Sequence, residues 1–420
     1  MTTGRVQSEA CAREVADVVV IGSGPAGLAA ATAIRRSHPG RVLVVERQAR
    51  AGGIPAQCDH RGFGLRDLHR SYSGPDYSRA LAGQALEAGV EIITETTAFI
   101  ESDGALAITG PAGLRHVEAA HVLLATGARE RPRTARLVPG TRPAGVFTTG
   151  QLQQFVRRSL PVGSRALVVG AEHVSFSAVL TLREAGVAVR AMVTDLEEAQ
   201  SLPVANAVLR HLYRVPLMTR TAVVSLEGRR RLQGVTLEDC VTGARLSVEV
   251  DTIVFSGWWV PEYGLARSAG VVLDPGSGGP AVDALGRTSR IGWFAAGNLV
   301  HPVETADSTA VQAARVGAGM AASLTRTRGP LAPAVPVRVA APLAWVWPNL
   351  VRPGLTSGGD VTLLRTAEFG AQRSVRFSQD GRELGTYRIR HLTPNRSLRV
   401  GAAWRNGVSA EGGLVTASLH

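Results

Sequence analysis

The chain has 420 residues, 45% of them hydrophobic, which is enough for two or three domains with buried cores. Its formal net charge is +12. All 46 cationic side chains are arginines, which excludes chemistry based on a lysine Schiff base or a lysine base. The arginines are scattered and form no basic stripe interleaved with aromatic residues, so we expect no nucleic-acid partner.

The three cysteines, Cys11, Cys58 and Cys240, lie far apart in the sequence. They form no CxxC pair, so we expect neither a sequence-local redox disulfide nor an iron–sulfur or zinc cluster built by this chain alone, and we predict no metal site. A few unpaired thiols fit a reducing compartment, and the polar start MTTGRVQSEACARE lacks a secretory signal, so the expected location is cytoplasmic. The most apolar stretch, 18–34, is interrupted by Gly-Ser-Gly-Pro, so we predict no transmembrane segment.

The strongest motif lies near the start of the chain. Residues 18–21 predict a short buried strand, which runs into a GxGxxG turn and an alanine-rich helix. Such glycines make the tight turn, let the backbone approach a pyrophosphate and let the helix pack on the strand, while the helix N-terminus offers N–H groups to phosphate. A second strand, RVLVVE, ends at Glu46, where a carboxylate can accept both ribose hydroxyls of an adenosine. The nucleotide-binding residues predicted here are Gly22, Gly24, Pro25, Ala26, Gly27, Glu46 and Arg47.

Two distant segments identify the nucleotide. HVLLATGARERPR, residues 121–133, is an apolar strand ending in Ala-Thr-Gly, and RIGWFAAGNLVHPVETAD, residues 290–307, runs through Gly-Asn towards a predicted helix. Both resemble conserved elements of the two-dinucleotide-binding-domain flavoproteins, the glutathione-reductase-like superfamily. The resemblance implies that the cofactor is FAD, with Asn298 in place of the acid that usually contacts the ribitol. The residues that it adds to the site are Ala125, Thr126, Gly127, Gly297, Asn298 and Thr305.

The stretch AGGIPAQCDHRGFGLRDLHRSYSGPDYSRAL, residues 51–81, narrows the resemblance. In the superfamily the region after this Gly-Gly runs beside the isoalloxazine, so Gly53 and Ile54 join the expected FAD contacts. The arrangement resembles FAD-dependent subunits encoded beside anaerobic glycerol-3-phosphate dehydrogenase homologues. More distantly, it resembles the α-type subunits of hydrogen cyanide synthase, opine oxidase and heteromeric proline or sarcosine dehydrogenases. The resemblance covers roughly residues 15–325 and implies partner dehydrogenase or iron–sulfur subunits.

Four side chains are candidates for chemistry. Cys58 could act as a thiolate or form a flavin adduct, and the alternative is a small packing residue. His60, His69 and His301 are candidate proton-handling residues, and the alternative for each is a hydrogen-bonded structural histidine. We single out Cys58, His60 and His301 as the catalytic candidates.

His301 is the strongest of the histidine candidates, because it follows Gly297 and Asn298 and precedes a predicted helix. The positive end of that helix should face the flavin pyrimidine and stabilise the anionic reduced form. Glu304 and Asp307 should be solvated residues of its first turn.

A second dinucleotide-binding unit is predicted by SRALVVGAEHVSFSAVLTLREAGVAVRAMV, residues 164–193. Glu172 and Ser175 stand where the turn normally has its second and third glycines, so side chains occupy space the backbone should leave, and Glu172 would repel a phosphate. We therefore expect NAD(P) binding to be impaired. NAD(P)H binding stays open as the alternative, since glutamate after such a turn occurs in working nicotinamide domains. No arginine pair follows the second strand, which ends near Asp195, so NADPH is the less favoured form.

The C-terminal part lacks the strand–helix alternation of the preceding residues. RTRGPLAPAVPVR, residues 326–338, predicts a proline-rich linker, and the following short alternating runs predict a small antiparallel β-domain. Trp345 and Trp347 could dock this domain on the body of the protein or on a partner, but the favoured interpretation is that they belong to the core. The expected fold class is α/β, with two Rossmann-like three-layer dinucleotide-binding domains, the second inserted in the first, plus this β-domain. The predicted ranges are 15–140 and 285–326 for the FAD-binding domain, 141–284 for the NAD(P)-type domain, 327–340 for the linker and 341–420 for the β-domain.

Three functions follow from these motifs. The favoured one is an FAD-dependent oxidoreductase that works as one component of a multi-component dehydrogenase for a small hydroxy acid, amine or polyol. The second is a self-contained NAD(P)H-dependent flavin reductase that passes electrons to a quinone or protein acceptor. The third is a non-catalytic assembly subunit that keeps FAD as a structural element. Association of the chain with itself as a homo-oligomer is compatible with each.

Overall fold

The computed structural model describes residues 12–324, 332–354 and 361–420, so Cys11 and part of the predicted linker lie outside the described residues. The first 130 residues build most of one α/β unit. Its elements are β1 (Ala12–Ile21), α1 (Pro25–Ser37), β2 (Val42–Val45), β3 (Arg61–Phe63), β4 (Tyr72–Ser73), α2 (Gly74–Glu87), β5 (Glu91–Ile93), β6 (Thr97–Ile100), β7 (Leu106–Gly110), β8 (Gly113–Leu124) and β9 (Ala128–Glu130).

The central sheet of this unit has the order β5-β2-β1-β8-β7-β6, and the pairs among β5, β2, β1 and β8 are parallel. Both faces of β1 are covered. Val18 and Val20 pack into the core on the helix side with α1 and α2, whereas Val19 and Ile21 pack into the core on the opposite side. A strand buried on both faces reads as a continuous apolar run, which is why the segment is so hydrophobic.

The second α/β unit follows β9. Its elements are β10 (Val146–Thr148), α3 (Thr149–Arg157), β11 (Arg165–Val169), α4 (His173–Glu184), β12 (Ala188–Val193), α5 (Pro203–Ala207), β13 (Leu217–Met218), β14 (Thr221–Gly228), β15 (Leu232–Asp239), β16 (Arg245–Val248), β17 (Thr252–Phe255) and β18 (Trp259–Pro261), and α6 (Gly264–Ser268) follows as the chain returns to the first unit. A parallel sheet, β10-β17-β11-β12-β13, is flanked by the antiparallel sheet β14-β15-β16.

The chain passes between these two units twice, and the two connecting segments lie side by side. β9 leaves the first unit and pairs with β18, which returns to it, in a two-stranded antiparallel ribbon. After β18, Ala266, Ala269 and Val271 already pack in the core of the first unit. We therefore propose that the inserted domain ends at the ribbon and not at residue 284.

The first unit is completed by β19 (Trp293–Ala295) and α7 (Ala306–Leu324). β19 pairs in parallel with β8, and α7 lies against α1. The two helices come so close that a Cβ added at Gly317 would lie 2.5 Å from the Ala30 carbonyl oxygen. Among the helices of the described ranges, none has the length and apolar run needed to cross a membrane.

The C-terminal domain consists of β20 (Val335–Val339), β21 (Leu343–Trp347), β22 (Leu350–Val351), β23 (Val361–Thr366), β24 (Gly370–Gln379), β25 (Arg382–Leu392), β26 (Leu398–Gly401) and β27 (Val415–Leu419). They form two sheets, β22-β20-β27-β24-β25 and β21-β23-β26. One pair departs from the predicted antiparallel pattern: β20 and β27, the first and last strands, lie side by side and run in the same direction. β20 also lies inside the range predicted as linker, so the domain begins there.

Candidate active site

The turn between β1 and α1 forms a cradle made of close backbone contacts. A Cβ added at Gly27 would lie 1.9 Å from the Gly22 carbonyl oxygen, and one added at Gly22, whose φ is +103°, would lie 2.5 Å from the Ala125 carbonyl oxygen. Only glycine fits these two positions. A Cβ at Gly24, by contrast, would have no protein atom within 4 Å, so this position faces open space.

Two further predicted segments meet this turn. A Cβ added at Gly53 would lie 2.8 Å from the Gly24 Cα, and one added at Gly297 would lie 2.5 Å from the Ala26 Cβ. Gly127, like Gly24, borders open space. Two segments that are more than 240 residues apart in sequence, at Gly53 and Gly297, thus converge on the N-terminus of α1.

The cradle fits the diphosphate of FAD. α1 has no side-chain cap and no acidic residue in its first turn, and Pro25 at its start has no N–H group. The N–H groups of Ala26 and Gly27 have no acceptor within the helix, since helix geometry leaves the first donors unpaired. Together with the helix dipole they make a site for an anion.

Glu46 lies at the end of β2, buried next to the cradle. Its Oε2 accepts hydrogen bonds from the backbone N–H of Ser23 at 2.9 Å and from the Ser23 hydroxyl at 2.6 Å, and its Oε1 accepts one from the Gln48 N–H at 2.8 Å. These donors hold the carboxylate at the position expected for a ribose-binding acid. Ser23, which the sequence analysis did not single out, orients it. Arg47 is exposed beside it.

The structure also gives the surroundings of Ile54, Thr126 and Thr305, which are further predicted FAD contacts. Ile54 is 54% exposed. The Thr126 hydroxyl donates to the Glu262 carbonyl oxygen at 2.9 Å, which ties the end of β8 to the residue after β18. The Thr305 hydroxyl donates to Asp307 at the start of α7.

The side chain of Asn298 hydrogen-bonds to the segment that precedes α7. Its Oδ1 accepts from the Glu304 N–H at 2.7 Å, and its Nδ2 donates to the Glu304 carbonyl oxygen at 3.1 Å. An amide nitrogen carries two N–H groups, so one of them stays available for a ribitol oxygen.

The expectation that Glu304 and Asp307 are solvated is wrong. Asp307 is 6% exposed and accepts from the Arg66 N–H at 3.2 Å. Glu304 precedes the helix and pairs with Arg365 of β23 at 3.3 Å. The C-terminal domain, which the local sequence does not reveal as a neighbour, shields most of the Glu304 side chain from water.

Two of the three catalytic candidates share neighbours: Gln153, which hydrogen-bonds the Cys58 thiol, also donates to the Ser177 hydroxyl at 2.9 Å, and that hydroxyl contacts the His60 ring. Cys58 is buried, its thiol donates to the Ile54 carbonyl oxygen at 3.4 Å, and burial raises its pKa to about 12, so it is a neutral thiol. His60 is partly buried, with Nε2 at 2.8 Å from the Ser177 hydroxyl. His301 is fully buried, hydrogen-bonded to Gln312, and burial lowers its pKa, so the ring is neutral.

His301 lies away from the cradle, in the contact between the first unit and the C-terminal domain. Its ring is 5.6 Å from the Trp347 ring and 6.4 Å from the Trp345 ring, centroid to centroid. Both tryptophans are buried, as predicted. This environment is that of a core histidine. His69, the other histidine considered in the sequence, is exposed.

The turn before α4 differs from the cradle at α1. Glu172 is buried, its Oε1 accepts from the Ser256 hydroxyl at 3.1 Å, and its N–H donates to the Ser175 hydroxyl at 3.3 Å. The carboxyl faces Gly257, where an added Cβ would lie 2.5 Å from Oε1. Burial raises its pKa, so its negative charge is disfavoured. Glu172 therefore turns inward, which weakens the predicted repulsion of phosphate, while the Ser175 hydroxyl occupies one of the N–H groups of the turn.

Comparisons with known proteins agree with this architecture. The sequence pattern of the family described as pyridine nucleotide-disulphide oxidoreductase matches residues 16–319. The chain is 28% identical to an opine oxidase subunit of Agrobacterium tumefaciens (strain Ach5) over 73% of its own length and 64% of that protein. It thus spans about three fifths of the opine oxidase subunits that it matches.

Thioredoxin reductases are matched over nearly their whole length. The chain is 28% identical to that of Mycolicibacterium smegmatis over 75% of its own length and 96% of the reductase. The crystal structure of T. acidophilum thioredoxin reductase superposes with a TM-score of 0.61 at 19% identity, covering 74% of this chain and 98% of that one. This confirms the predicted two-domain fold, to which the C-terminal β-domain is added. The chain therefore belongs to the pyridine nucleotide-disulphide oxidoreductase family, a family of FAD-dependent oxidoreductases that have pyridine nucleotides as partners.

Proposed function

We propose that the chain is the FAD-carrying subunit of a multi-component dehydrogenase that oxidises a small hydroxy acid, amine or polyol. The observation that carries the proposal is the contrast between the two turns. The turn before α1 has no side-chain cap and leaves donors and space for a diphosphate, whereas in the turn before α4 the Ser175 hydroxyl already accepts from the Glu172 N–H at 3.3 Å. Such a chain keeps its flavin site and has fewer free donors for a pyridine nucleotide, which favours a substrate or partner as the source of electrons.

The residues of the cradle would hold the cofactor. The N–H groups of Ala26 and Gly27 would donate to its phosphates, and Glu46, oriented by Ser23, would accept from the ribose hydroxyls. The free N–H of Asn298 would bond the ribitol. Bound FAD supplies the two-electron acceptor, and the protein supplies its position and surroundings.

The proposal includes partner proteins. Relatives named as subunits of opine oxidase support an assembly of more than one chain, and the chain spans only part of their length. The resemblance to subunits encoded beside anaerobic glycerol-3-phosphate dehydrogenase homologues suggests the class of companion. Within the described ranges the free cysteines are Cys58 and Cys240, which form no cluster, so a one-electron relay would come from a partner. We propose that the assembly works in the cytoplasm.

A self-contained NAD(P)H-dependent flavin reductase is the second candidate. The coverage of thioredoxin reductases over nearly their whole length and the complete β11-α4-β12 unit favour it. The inward orientation of Glu172 also favours it, because the carboxyl does not face an incoming phosphate.

Rapid anaerobic mixing separates the candidates. FAD-reconstituted protein is mixed with NADH or NADPH, and separately with hydroxy acids, amines and polyols in the presence of whatever proteins co-purify with it. We expect slow or no loss of flavin absorbance with the nucleotides and fast loss with one substrate class in the complete assembly. Fast reduction by NADH alone would instead support the reductase. A bound flavin that no donor reduces, even with partners, would support the hypothesis of a non-catalytic assembly component.

A further inference from the structure

Glu130, the last residue of β9, is a buried carboxyl with one unsatisfied oxygen. The residue is 8% exposed. Its Oε2 accepts a hydrogen bond from the Gly150 N–H, in the first turn of α3, at 2.9 Å. Its Oε1 is buried and has no hydrogen-bond partner among the described residues. The Thr149 hydroxyl is close enough to act as a donor to the carboxyl and lowers its pKa, although the geometry between the two groups is too poor for a regular hydrogen bond. Because a buried acceptor without a partner costs free energy, such an atom calls for a ligand or a proton.

The surroundings of Glu130 favour the protonated form. The titratable or charged groups facing it are the Cys58 thiol, Arg136 and Glu172. The guanidinium of Arg136 donates to the carbonyl oxygens of Ser256 and Gly257 at 2.7 and 2.8 Å and does not pair with the carboxyl. Burial, and to a smaller extent the charge of Glu172, raises the pKa of Glu130 to about 7. A carboxyl with this pKa can both take and release a proton near neutral pH.

The position of Glu130 relates it to the predicted flavin site. Two segments leave the diphosphate cradle, one running from Gly53 to Gln57 and the other from Gly127 to Glu130. They meet at Gly150: a Cβ added there would lie 3.7 Å from Gln57 Nε2 and 3.9 Å from Glu130 Oε2. The carboxyl therefore stands where both segments of the expected flavin site converge.

We propose that Glu130 is the catalytic acid–base residue, whose Oε1 takes the proton that a substrate hydroxyl or amine loses during oxidation. The inference rests on the dehydrogenase function proposed above. In the balanced step, the substrate C–H hydrogen leaves with both electrons to the flavin. The O–H or N–H bond breaks, its electron pair becomes the new C=O or C=N bond, and its proton forms the O–H bond of Glu130. In the reverse direction, Glu130 returns the proton to the oxygen or nitrogen of the product as the flavin returns the hydride.

The test needs only the FAD-loaded protein and an electrode. Infrared difference spectra between oxidised and reduced protein are recorded across neutral pH, together with the midpoint potential of the flavin. Added negative charge in a buried site raises the pKa of a nearby carboxyl, so reduction should protonate Glu130. We expect the C=O stretch of a protonated carboxyl to grow on reduction and the pH dependence of the potential to steepen near pH 7.

Variants test whether the carboxyl band and the pH dependence of the potential come from Glu130. Glu130→Gln should lose the carboxyl band and the steeper segment, and Glu130→Asp should shift the band. Glu262→Gln is the matched control, because Glu262 follows the same ribbon but pairs with Arg129 at 3.2 Å and is partly exposed; it should leave both signals unchanged. If wild-type protein shows no carboxyl band on reduction, or if the band persists in Glu130→Gln, the proposal is wrong. That wild-type measurement holds even if the variants fail to fold. Because no substrate is used, failure here leaves the proposed dehydrogenase function standing.

Discussion

Arg365 joins the C-terminal domain to the segment that leads into α7, donating a hydrogen bond to the Pro302 carbonyl oxygen at 2.9 Å. The same guanidinium donates to the Val303 carbonyl oxygen at 2.9 Å and to Glu304, and it lies 5.0 Å from the centroid of the Trp345 ring. The C-terminal domain is thereby fastened to the loop between Asn298 and α7, which belongs to the expected flavin site.

Replacing Arg365 with glutamine should lower the free energy of unfolding by about 3 kcal/mol, because Glu304, whose side chain is 11% exposed, loses its nearest cationic partner. The Ser397 hydroxyl and the more distant Arg399 stay beside Glu304. FAD should also dissociate faster, since the loop that holds Asn298 loosens. Chemical denaturation and the rate of flavin release measure the two effects. Arg399→Gln is the control: Arg399 is half exposed and 3.9 Å from Glu304, so its loss should cost about 1 kcal/mol or less. Equal effects of the two variants would contradict the assigned role of Arg365.

Substitutions at two glycines of the turn before α1 should distinguish an effect on folding from an effect on cofactor binding. Gly27→Ala places a Cβ against the Gly22 carbonyl oxygen and should destabilise the apoprotein by about 1–3 kcal/mol. Gly24→Ala meets no protein atom, and its φ of −67° suits any residue, so the apoprotein should keep its stability. FAD affinity should nevertheless fall in Gly24→Ala, because the new methyl group occupies the space left for the diphosphate. Thermal unfolding of apoprotein and FAD titration check this, and unchanged affinity in Gly24→Ala would argue against the cradle.

The stability of the apoprotein should depend on pH through Glu130. Its pKa rises from an ordinary value of 4.5 to about 7 on folding, so the folded state holds a proton that the unfolded state releases between these values. This contribution is complete below pH 4.5 and is lost as the pH rises through 7. The loss amounts to about 3 kcal/mol. Chemical denaturation of wild type and Glu130→Gln at the same series of pH values measures the difference between their free energies of unfolding. If this difference does not change with pH, the prediction is contradicted.

Cys58 should resist thiol reagents in the folded protein. With a pKa of about 12, its thiolate fraction at pH 8 is on the order of one in ten thousand, and the group is also buried. Exposed Cys240 should react first. Alkylation followed by peptide mapping, with and without denaturant, reads out both sites. Rapid labelling of Cys58 in folded protein would restore the thiolate hypothesis.

Some features of the site could be predicted because they are encoded in contiguous residues. The glycine turn before α1, the strand buried on both faces and Glu46 at the end of β2 follow from local conformational rules and hydrophobic periodicity. Other residues were misjudged. Glu304 and Asp307 look like solvated residues of a first helical turn, and nothing within α7 indicates that Arg365 or Arg66 approaches them. His301 follows the Gly-Asn motif closely, yet its ring packs among tryptophans 44 or more residues further along the chain.

The two α/β units and the glycine turn before α1 follow from the amino-acid sequence, since turns, strands and helix starts depend on neighbouring residues, and the choice of FAD follows from the resemblance of two further segments to flavoproteins. The burial of Glu130, the inward turn of Glu172 and the contacts of Arg365 with the segment before α7 are visible only in the folded protein. Burial, ionisation and pairing depend on which distant residues the fold brings into contact, and a linear pattern does not contain those distances.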